Sequence, residues 1–568
     1  MYQSIFYDYS TYSYYLRDDV SKWSNFKYQP TYYKRVPNEV EGALPVLTGG
    51  WAVPTQKYVK DDPNLLERDV DKELVLLRDY YFNAKEDTIP TYQNIVFIDI
   101  EIEMGGALTP EYVKAAPMPL TSISLTDQTT KTKICLIVDS DGEIKTDETI
   151  ISCTSEKDLI LKFLNYWEEF DPTICVTYNG CYFDIPYLYF RICNVFDREV
   201  AKRLSPIRKV VVREWMPDDI VRIGGINHLD YMLLFKKYIT KEEPSYKLGD
   251  IGEKYVGLGK IEYEGNLNQL YKNDKNKFID YNMRDVEIME KLEEKFKFIV
   301  LTIMISHICN ISYEQIYYNT AMNEGAILKY LKIKGIVSPN KPTTHNISLK
   351  GSEVSYAGGY LLEPITGLYF DVIDLDFTSL YPSIIKSLNL GIETLVGRIK
   401  VKENPTYEQY QSLDKLKQRD PNEVIQIEKL DKIKYTLSST TITVGKLIEI
   451  IEENKYTIAA SGAMFRTDEK SVVSIILEGW FNKREFYRGE KKKAGKSENW
   501  DDYKLFDLFQ HAFKILQNAM YGTFAKNIWR YTDGHMICSA AITNTGQRLV
   551  KASIEDVNAM INNGELDM

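Results

Sequence analysis

Asp99 and Glu101 stand two residues apart in the run Val96-Phe97-Ile98-Asp99-Ile100-Glu101. On a strand that spacing puts both carboxylates on one face and the isoleucines on the other. Like charges so close repel, and a divalent cation between them is the economical explanation. An isolated Asp-x-Glu is a weak sign, since exposed strand faces often carry acids. Another acid, Asp376, opens the run Asp376-Phe377-Thr378-Ser379-Leu380-Tyr381-Pro382-Ser383-Ile384-Ile385. The apolar residues and interspersed acids of Tyr369 to Leu375 predict a strand before it, and Pro382 suits the first turn of a helix after it. A carboxylate at a strand end, beside the backbone amides of a turn into a helix, can hold a divalent metal next to phosphates. Further on, Lys514, Asn518 and Tyr521 follow at spacings of four and three, so a helix presents all three on one face. Gly522 next to them permits a close approach of a base pair or a tight C-cap. Arg484 and Arg488, four apart, also point one way. Two cations facing Lys514 repel unless a polyanion lies between them, and a nucleoside triphosphate is such an anion.

These residues need elements to carry them. Val96 to Glu103 alternates from Ile98 onward and reads as a strand. Glu156 to Phe170 has helical periodicity, with Leu159, Ile160, Phe163, Leu164 and Trp167 on one apolar face. Ile174 to Tyr178 is a short strand, and Asn179-Gly180-Cys181-Tyr182-Phe183-Asp184 follows it. Lys209 to Ile223 reads as a hairpin with Met216-Pro217-Asp218-Asp219 as its turn. Phe278 to Phe298 reads as a long helix, with Tyr281 and Asp285 on one face. Strands alternating with helices in this half predict an α/β domain. A helical connector follows over 304–347. Val472 to Ala494 and Tyr503 to Tyr521 predict two long helices joined by the polar stretch Gly495 to Asp502, a helical hairpin.

The chain has 568 residues, more than one core can serve, so three or more domains are expected. Its 44% apolar and 27% charged content is ordinary for a globular protein. The start, Met1 to Ser10, lacks the basic region and apolar core of a secretory signal, and no apolar stretch is long enough to span a bilayer. The seven cysteines (135, 153, 175, 181, 193, 309 and 538) are scattered with no CxxC pair, so neither a zinc ribbon nor a disulfide frame is indicated, and a reducing cytosol is the simple reading. The net charge of −11 argues weakly against a protein coated for nucleic acid, but it describes the average field and not a cleft.

The decapeptide from Asp376 resembles the first palm motif of B-family DNA polymerases, Asp-x-x-Ser-Leu-Tyr-Pro-Ser. Lys514-Ile515-Leu516-Gln517-Asn518-Ala519-Met520-Tyr521-Gly522 resembles the same family's fingers motif, Lys-x-x-x-Asn-x-x-Tyr-Gly. The resemblance implies two-metal phosphoryl transfer. Asp376 then ligates both catalytic ions, aided by the carbonyl of Phe377, and the amides of Ser379 and Leu380 hold phosphate oxygens. Tyr381 packs on the deoxyribose and leaves no room for a 2′-hydroxyl. Arg484, Arg488, Lys514 and Asn518 receive the triphosphate, with Tyr521 and Gly522 under the nascent base pair. Asp-x-Glu, then Asn-x-x-x-Phe-Asp, then Tyr-x-x-x-Asp occur in the order of the family's three exonuclease motifs. By that resemblance Asp99, Glu101, Asp184 and Asp285 hold two Mg²⁺ ions in a ribonuclease-H-like 3′→5′ exonuclease domain, and Tyr281 orients the attacking water. The polymerase site takes two more Mg²⁺, and Mn²⁺ can substitute.

The resemblance covers essentially the whole chain and is nearest to the replicative polymerases of large tailed phages. Protein-primed phage polymerases share several motifs, but their exonuclease motif lies near the chain start, whereas 98 residues precede Asp99 here. The implied fold is α/β multidomain: an N-terminal domain (1–93 and 298–347), an exonuclease domain (94–297), a partial palm (348–470 and 526–568) and helical-hairpin fingers (471–525). One departure stands out. The third palm motif, Tyr-Gly-Asp-Thr-Asp-Ser or a close variant, is not found after Tyr521. Tyr531-Thr532-Asp533-Gly534 sits too close to the fingers and lacks a second aspartate. The expectation is therefore an N-terminal part of a polymerase, from a split gene or a truncated chain, whose palm and thumb are completed by a second polypeptide. The surface after Tyr521 is expected to be unusually apolar, and Asp374 or Asp533 are the alternative acids. Expected partners are primer-template DNA, dNTPs and, through the missing part, a sliding clamp, in a bacterial host cytoplasm and without a membrane. Two other readings remain: a stand-alone 3′→5′ exonuclease with a vestigial DNA-binding palm, and a nucleic-acid-binding structural subunit.

Overall fold

The computed structural model describes all residues except 19–21, 84–92, 214–219, 240, 343–357, 371, 373, 378, 401–408, 527 and 564–568. The chain divides into two compact units, residues 1–28 with 84–317 and residues 29–83 with 318–568.

The first unit is built on a six-stranded sheet of β1 (Ile95–Ile102), β2 (Leu120–Asp127), β3 (Lys133–Val138), β4 (Ile150–Cys153), β5 (Ile174–Thr177) and β6 (Asn227–Asp230). Their order is β4-β3-β2-β1-β5-β6. The first three strands form an antiparallel meander, while β5 runs parallel to both β1 and β6 and β4 parallel to β3. Along β1 the alternation does its expected work. Val96, Ile98, Ile100 and Ile102 enter a core with Leu159, Ile160, Phe163, Leu164 and Trp167 of helix α1 (Glu156–Phe170), and Asp99 and Glu101 face the other way. Helix α1 starts where the sequence says: the Ser155 hydroxyl accepts from the Asp158 amide as N-cap. Helix α2 (Asp184–Val195) follows β5, and α3 (Lys275–Phe296) crosses the face that carries Asp99. The helix expected over 278–298 is two helices. Lys297 takes the left-handed conformation (φ 56°), ends α3, and a new helix runs Phe298–Cys309. The hairpin is present at its root, where Val210, Val211 and Val212 pair with Ile223, Arg222 and Val221. Its turn, Met216 to Asp219, lies outside the described residues. A three-stranded antiparallel sheet (Tyr2–Asp8, Ser13–Asp18, Trp23–Phe26) completes this unit.

The second unit contains a four-stranded antiparallel sheet from residues 32–66 and a five-stranded sheet from residues 395–465. Helix α4 (Leu380–Leu388) carries Tyr381 and Pro382 in its first turn, as the sequence predicts. The helical hairpin is α5 (Val472–Lys496) and α6 (Trp500–Phe524), so its connection is shorter than the sequence suggests: only 497–499 lie between them. A last helix, α7 (Ile537–Asn562), packs against α4 and α6. Arg530 is fully buried and is held by Asp69 at 2.6 Å, Glu324 at 2.9 Å and the Pro339 carbonyl at 2.8 Å.

One expectation fails here. No strand forms over Tyr369 to Leu375 among the described residues, and the described residues of 358–377 are irregular; Asp371 and Ile373 lie outside the described residues. Leu361, Leu362, Ile365, Leu368, Tyr369, Phe370, Val372, Leu375 and Phe377 are between 42% and 87% exposed. Alternation shows which face a strand would bury, but only a ladder with a neighbouring strand makes the strand, and none of the described strands pairs with this run. The apolar surface expected after Tyr521 is concentrated instead on this segment. Beyond Tyr521 the large exposed apolar side chains are only Ile528, Leu549 and Met560 among the described residues.

Candidate active site

The carboxylates of β1 meet helix α3. One carboxylate oxygen each from Asp99, Glu101 and Asp285 lies within 4.8 Å of the others. Asp99 and Glu101 are half-buried and Asp285 is buried. Asp184, at the first position of α2, is outside that group of three, but its Oδ1 accepts the Ile100 amide at 3.3 Å, which ties it to the same strand.

The loop that delivers Asp184 is tightly specified. Asp230 at the end of β6 is fully buried and accepts from the amides of Asn179 (3.1 Å), Cys181 (3.2 Å), Met232 (3.0 Å) and Leu233 (3.3 Å). One carboxylate thus caps the helix of Tyr231–Tyr238 and pins the turn after β5. At Gly180 an added Cβ would lie 2.2 Å from Thr177 Oγ1, so the turn closes only around glycine.

The acids of the cluster strongly perturb one another, and their oxygens lie where they could hold a metal ion. Burial, then the charges of Asp285, Asp184 and Glu101, push the Asp99 carboxyl well above the usual range. Burial and then Asp285 push Glu101 up to about 8. Burial pushes Asp184 up to about 7, against the Ile100 amide hydrogen bond. Burial also raises Asp285, with Lys260 pulling the other way. Lys260 Nζ is 2.5 Å from Asp285 Oδ2 and donates to the Tyr281 hydroxyl at 3.1 Å. Burial works against the Lys260 charge, but Asp285, Tyr281 and Asp99 outweigh it and raise its pKa. One lysine cannot balance four ionised acids, so the acids can all ionise together only with further positive charge beside them. Asp285 Oδ1 is moreover buried without a hydrogen-bond partner among the described residues. An orphan carboxylate oxygen in an all-oxygen donor set fits a hard divalent ion such as Mg²⁺ or Mn²⁺. The site opens into a cleft of about 1170 Å³ that Asp99, Tyr178, Asn179, Tyr246, Lys260 and Asp285 help to line.

The second set of residues is assembled differently. Ser379 takes the left-handed conformation (φ 53°) and turns the chain into α4 at Leu380. Tyr381 stacks on Tyr521 of α6 with ring centroids 4.3 Å apart. A Cβ added to Gly546 of α7 would lie 3.0 Å from the Tyr381 ring, so that glycine clears the tyrosine's flank. Lys514 and Asn518 are exposed on α6, with Tyr521 half-buried and Gly522 open to solvent. Arg484 of α5 is half-buried, its pKa lowered by burial and then by Arg488, which also pairs with Glu485 at 2.7 Å. Burial, then the charges of Lys514 and Arg484, hold His511 below the ordinary histidine range despite Asp507. The hairpin therefore brings Arg484, Arg488 and Lys514 into one field. Asp376 and Phe377, by contrast, sit in the exposed irregular run, as does Asp374. Asp533 is no substitute ligand. It is fully buried and accepts from the amides of His535, Ile537 and Cys538 at 2.7–2.9 Å, capping α7.

Residues 58–251 match the family model described as DNA polymerase family B, exonuclease domain, and residues 311–567 match that of DNA polymerase family B. The chain belongs to DNA polymerase family B. Among curated relatives, the DNA-directed DNA polymerase of Escherichia phage RB69 is 34% identical over 251 residues, 44% of this chain and 27% of that protein. The corresponding enzyme of Enterobacteria phage T4 is 29% identical over 253 residues, 44% of this chain and 27% of its own length. DNA polymerase 1 of Sulfurisphaera ohwakuensis is 26% identical over 506 residues, 83% of this chain and 49% of that protein. The chain thus spans about half or less of the length of these relatives. No helix among the described residues is long and apolar enough to cross a membrane.

In this family-B chain, four contributors to the acidic site escape a reading of motifs. Lys260 lies in the loop after Gly257-Leu258-Gly259, where no periodicity points to a partner. Asn282 donates to Asp99 Oδ2 at 2.6 Å, and Ser122 and Ser124 bond to Asn282 in turn. A signal for these existed: Ser122, Ser124 and Thr126 alternate along β2, and Asn282 lies three residues before Asp285 on one helix face.

Proposed function

We propose that this chain is the N-terminal part of a replicative DNA-directed DNA polymerase with a 3′→5′ proofreading exonuclease. The observation that carries the exonuclease is the cluster of Asp99, Glu101 and Asp285 facing Lys260 and Tyr281, with Asp184 tied to the same strand. Asp99, Glu101, Asp184 and Asp285 hold two Mg²⁺ ions there, and Mn²⁺ substitutes. Bound divalent ions supply an activated water and stabilise charge on the leaving 3′-oxygen. Tyr281 orients that water, fixed by the hydrogen bond from Lys260, and Lys260 balances the charge of Asp285. Tyr178, Asn179 and Tyr246 line the cleft that receives the single-stranded 3′ end. The hairpin rooted at Val210–Val212 and Val221–Ile223 helps to separate the primer end. Deleting its tip then reduces excision from duplex DNA more than from single strands, and equal loss on both makes it an ordinary surface hairpin.

For synthesis, Arg484, Arg488, Lys514 and Asn518 receive the triphosphate, Tyr381 excludes the 2′-hydroxyl, and Tyr521 and Gly522 lie under the base pair. In the completed palm, Asp376 would ligate both Mg²⁺ ions, the Phe377 carbonyl would complete one of them, and the Ser379 and Leu380 amides would hold phosphate oxygens. The Tyr381–Tyr521 stack and the shared field of Arg484 and Lys514 support this reading. A stand-alone nuclease has no use for a triphosphate clamp, so that alternative is not favoured. A second polypeptide completes the palm and thumb and links to a sliding clamp. The exposed apolar side chains of the described residues from Leu361 to Phe377 support such a partner, because covering them would remove apolar surface from water. The domain assignment proposed is 1–93 with 298–347, exonuclease 94–297, palm 348–470 with 526–568, and fingers 471–525, acting in a bacterial cytoplasm on primer-template DNA and dNTPs.

The test uses 5′-labelled single-stranded DNA with Mg²⁺. The chain alone shortens it from the 3′ end, and Asp99→Ala with Asp184→Ala abolishes this; robust degradation by the double variant overturns the assignment. In the Asp99→Ala background, residues 1–568 alone extend no primer, and extension appears when a polypeptide with the missing aspartate motif and thumb is added. Efficient extension by the single chain contradicts the need for a partner.

A further inference from the structure

The carboxylate of Asp99 has one neutral neighbour among its charged ones. Asn282, fully buried on α3, donates through Nδ2 to Asp99 Oδ2 at 2.6 Å. Its other end is equally engaged. The Asn282 Oδ1 accepts from Ser122 Oγ at 2.9 Å and from Ser124 Oγ at 2.7 Å. Both serines are buried on β2, and the ladder sets Ser124 opposite Asp99 and Ser122 opposite Glu101. All four side chains therefore share one face of adjacent strands, with the amide lying over them.

With Asp99 ionised, as cation binding requires, only one amide orientation satisfies all of its partners. An ionised carboxylate accepts and cannot donate, so an amide oxygen turned towards Asp99 at 2.6 Å would set two acceptors against each other. The two serine hydroxyls donate to Oδ1 and hold the amide with its NH₂ towards the acid. The N–H occupies one lone-pair position of Asp99 Oδ2 and fixes the carboxylate's rotation, leaving its other lone pairs for cations. Hydrogen-bonding partners of this kind orient metal ligands and tune their affinity.

We infer that Asn282, oriented by Ser122 and Ser124, is a positioning residue that sets the rotation of the Asp99 carboxylate for divalent-cation binding. The inference rests on the exonuclease reading only for its consequence in catalysis; cation binding tests it separately.

The experiment titrates the full chain and its variants with Mn²⁺ alone at pH 7.5 by calorimetry, and follows hydrolysis of single-stranded DNA against Mn²⁺ concentration. Asn282→Ala should raise the Mn²⁺ dissociation constant by about 10- to 100-fold, and Ser122→Ala with Ser124→Ala by several-fold. Hydrolysis by either variant should recover at saturating Mn²⁺, which a defect of folding would not allow. Unchanged Mn²⁺ affinity in folded variants overturns the inference, and the serine pair decides it if Asn282→Ala does not fold. Mn²⁺ binding that Asp99→Ala removes, without any DNA hydrolysis, overturns the nuclease reading while the affinity changes still sustain the positioning role. Absence of Asp99-dependent Mn²⁺ binding in the unaltered chain overturns both.

Discussion

Asp99 and Asp376 both follow apolar, strand-like runs, yet the fold treats them in opposite ways. Asp99 lies on β1, which has a strand on either side, with Asn282 bonded to its carboxylate and Glu101 and Asp285 close by. Asp376 ends a run with no partner strand among the described residues and faces solvent. The difference lies in neighbours, not in the local sequence. A strand between two others satisfies its backbone groups and is forced to present alternate side chains. Without a ladder, the same alternation leaves apolar residues in water and the acid unpositioned. The helices beyond Asp376 do not share this fate, because α4, α5, α6 and α7 satisfy their own hydrogen bonds and pack on one another.

The comparison breaks most visibly in activity. Lys260→Met leaves Asp285 buried without its cation and releases Tyr281, so hydrolysis of single-stranded DNA should fall by about 10²-fold or more. Lys514→Met should leave hydrolysis unchanged, since its charge belongs to the other set of residues. A rate lost equally in both variants would mean that the two sets do not act separately.

Two glycines sharpen the contrast in stability. A Cβ at Gly180 meets Thr177 at 2.2 Å inside a closed turn, whereas one at Gly359 meets only the Tyr381 hydroxyl at 3.3 Å in the open run. Gly180→Ala should cost roughly 1–3 kcal/mol and weaken hydrolysis, and Gly359→Ala should stay within about 0.5 kcal/mol, measured by denaturant unfolding.

The acid cluster also sets a pH dependence. Glu101 and Asp184 titrate at about 8 and about 7 in the folded metal-free protein, against 4.5 and 3.8 ordinarily. As pH rises past the ordinary values the unfolded chain releases these protons first, so the folded state holds more protons and stability falls. The loss continues up to the folded values and then levels off. In chelator the melting temperature should therefore decline from about pH 4 to pH 8, other groups aside. Added Mg²⁺, which needs the deprotonated acids, should raise it more at pH 8 than at pH 6. Asp99→Asn with Glu101→Gln should flatten both effects, the smallest expected change.

Much of the acidic site was legible in the sequence because its signals are local. Asp99 and Glu101 at period two, and Tyr281 and Asp285 one helical turn apart, need only the element type to be placed on one face. The helices carrying Tyr381, Arg484 and Lys514 were legible for the same reason. Lys260 was not, because a loop residue's partner is decided by where the loop is tied, and Asn282 gained meaning only when β2 set its serines opposite the acids. The strand expected before Asp376 failed for a related cause: period reports a face, and pairing is a long-range fact.

Hydrogen exchange on the chain alone tests most directly whether closed pairing separates the two regions. Amides of Ile95–Ile102 should be protected by about 10³-fold or more, while those of residues 358–370 should exchange near the rate of unpaired chain. Comparable protection of both segments would contradict the account, because the Asp376 run would then be paired and its carboxylate as firmly presented as that of Asp99.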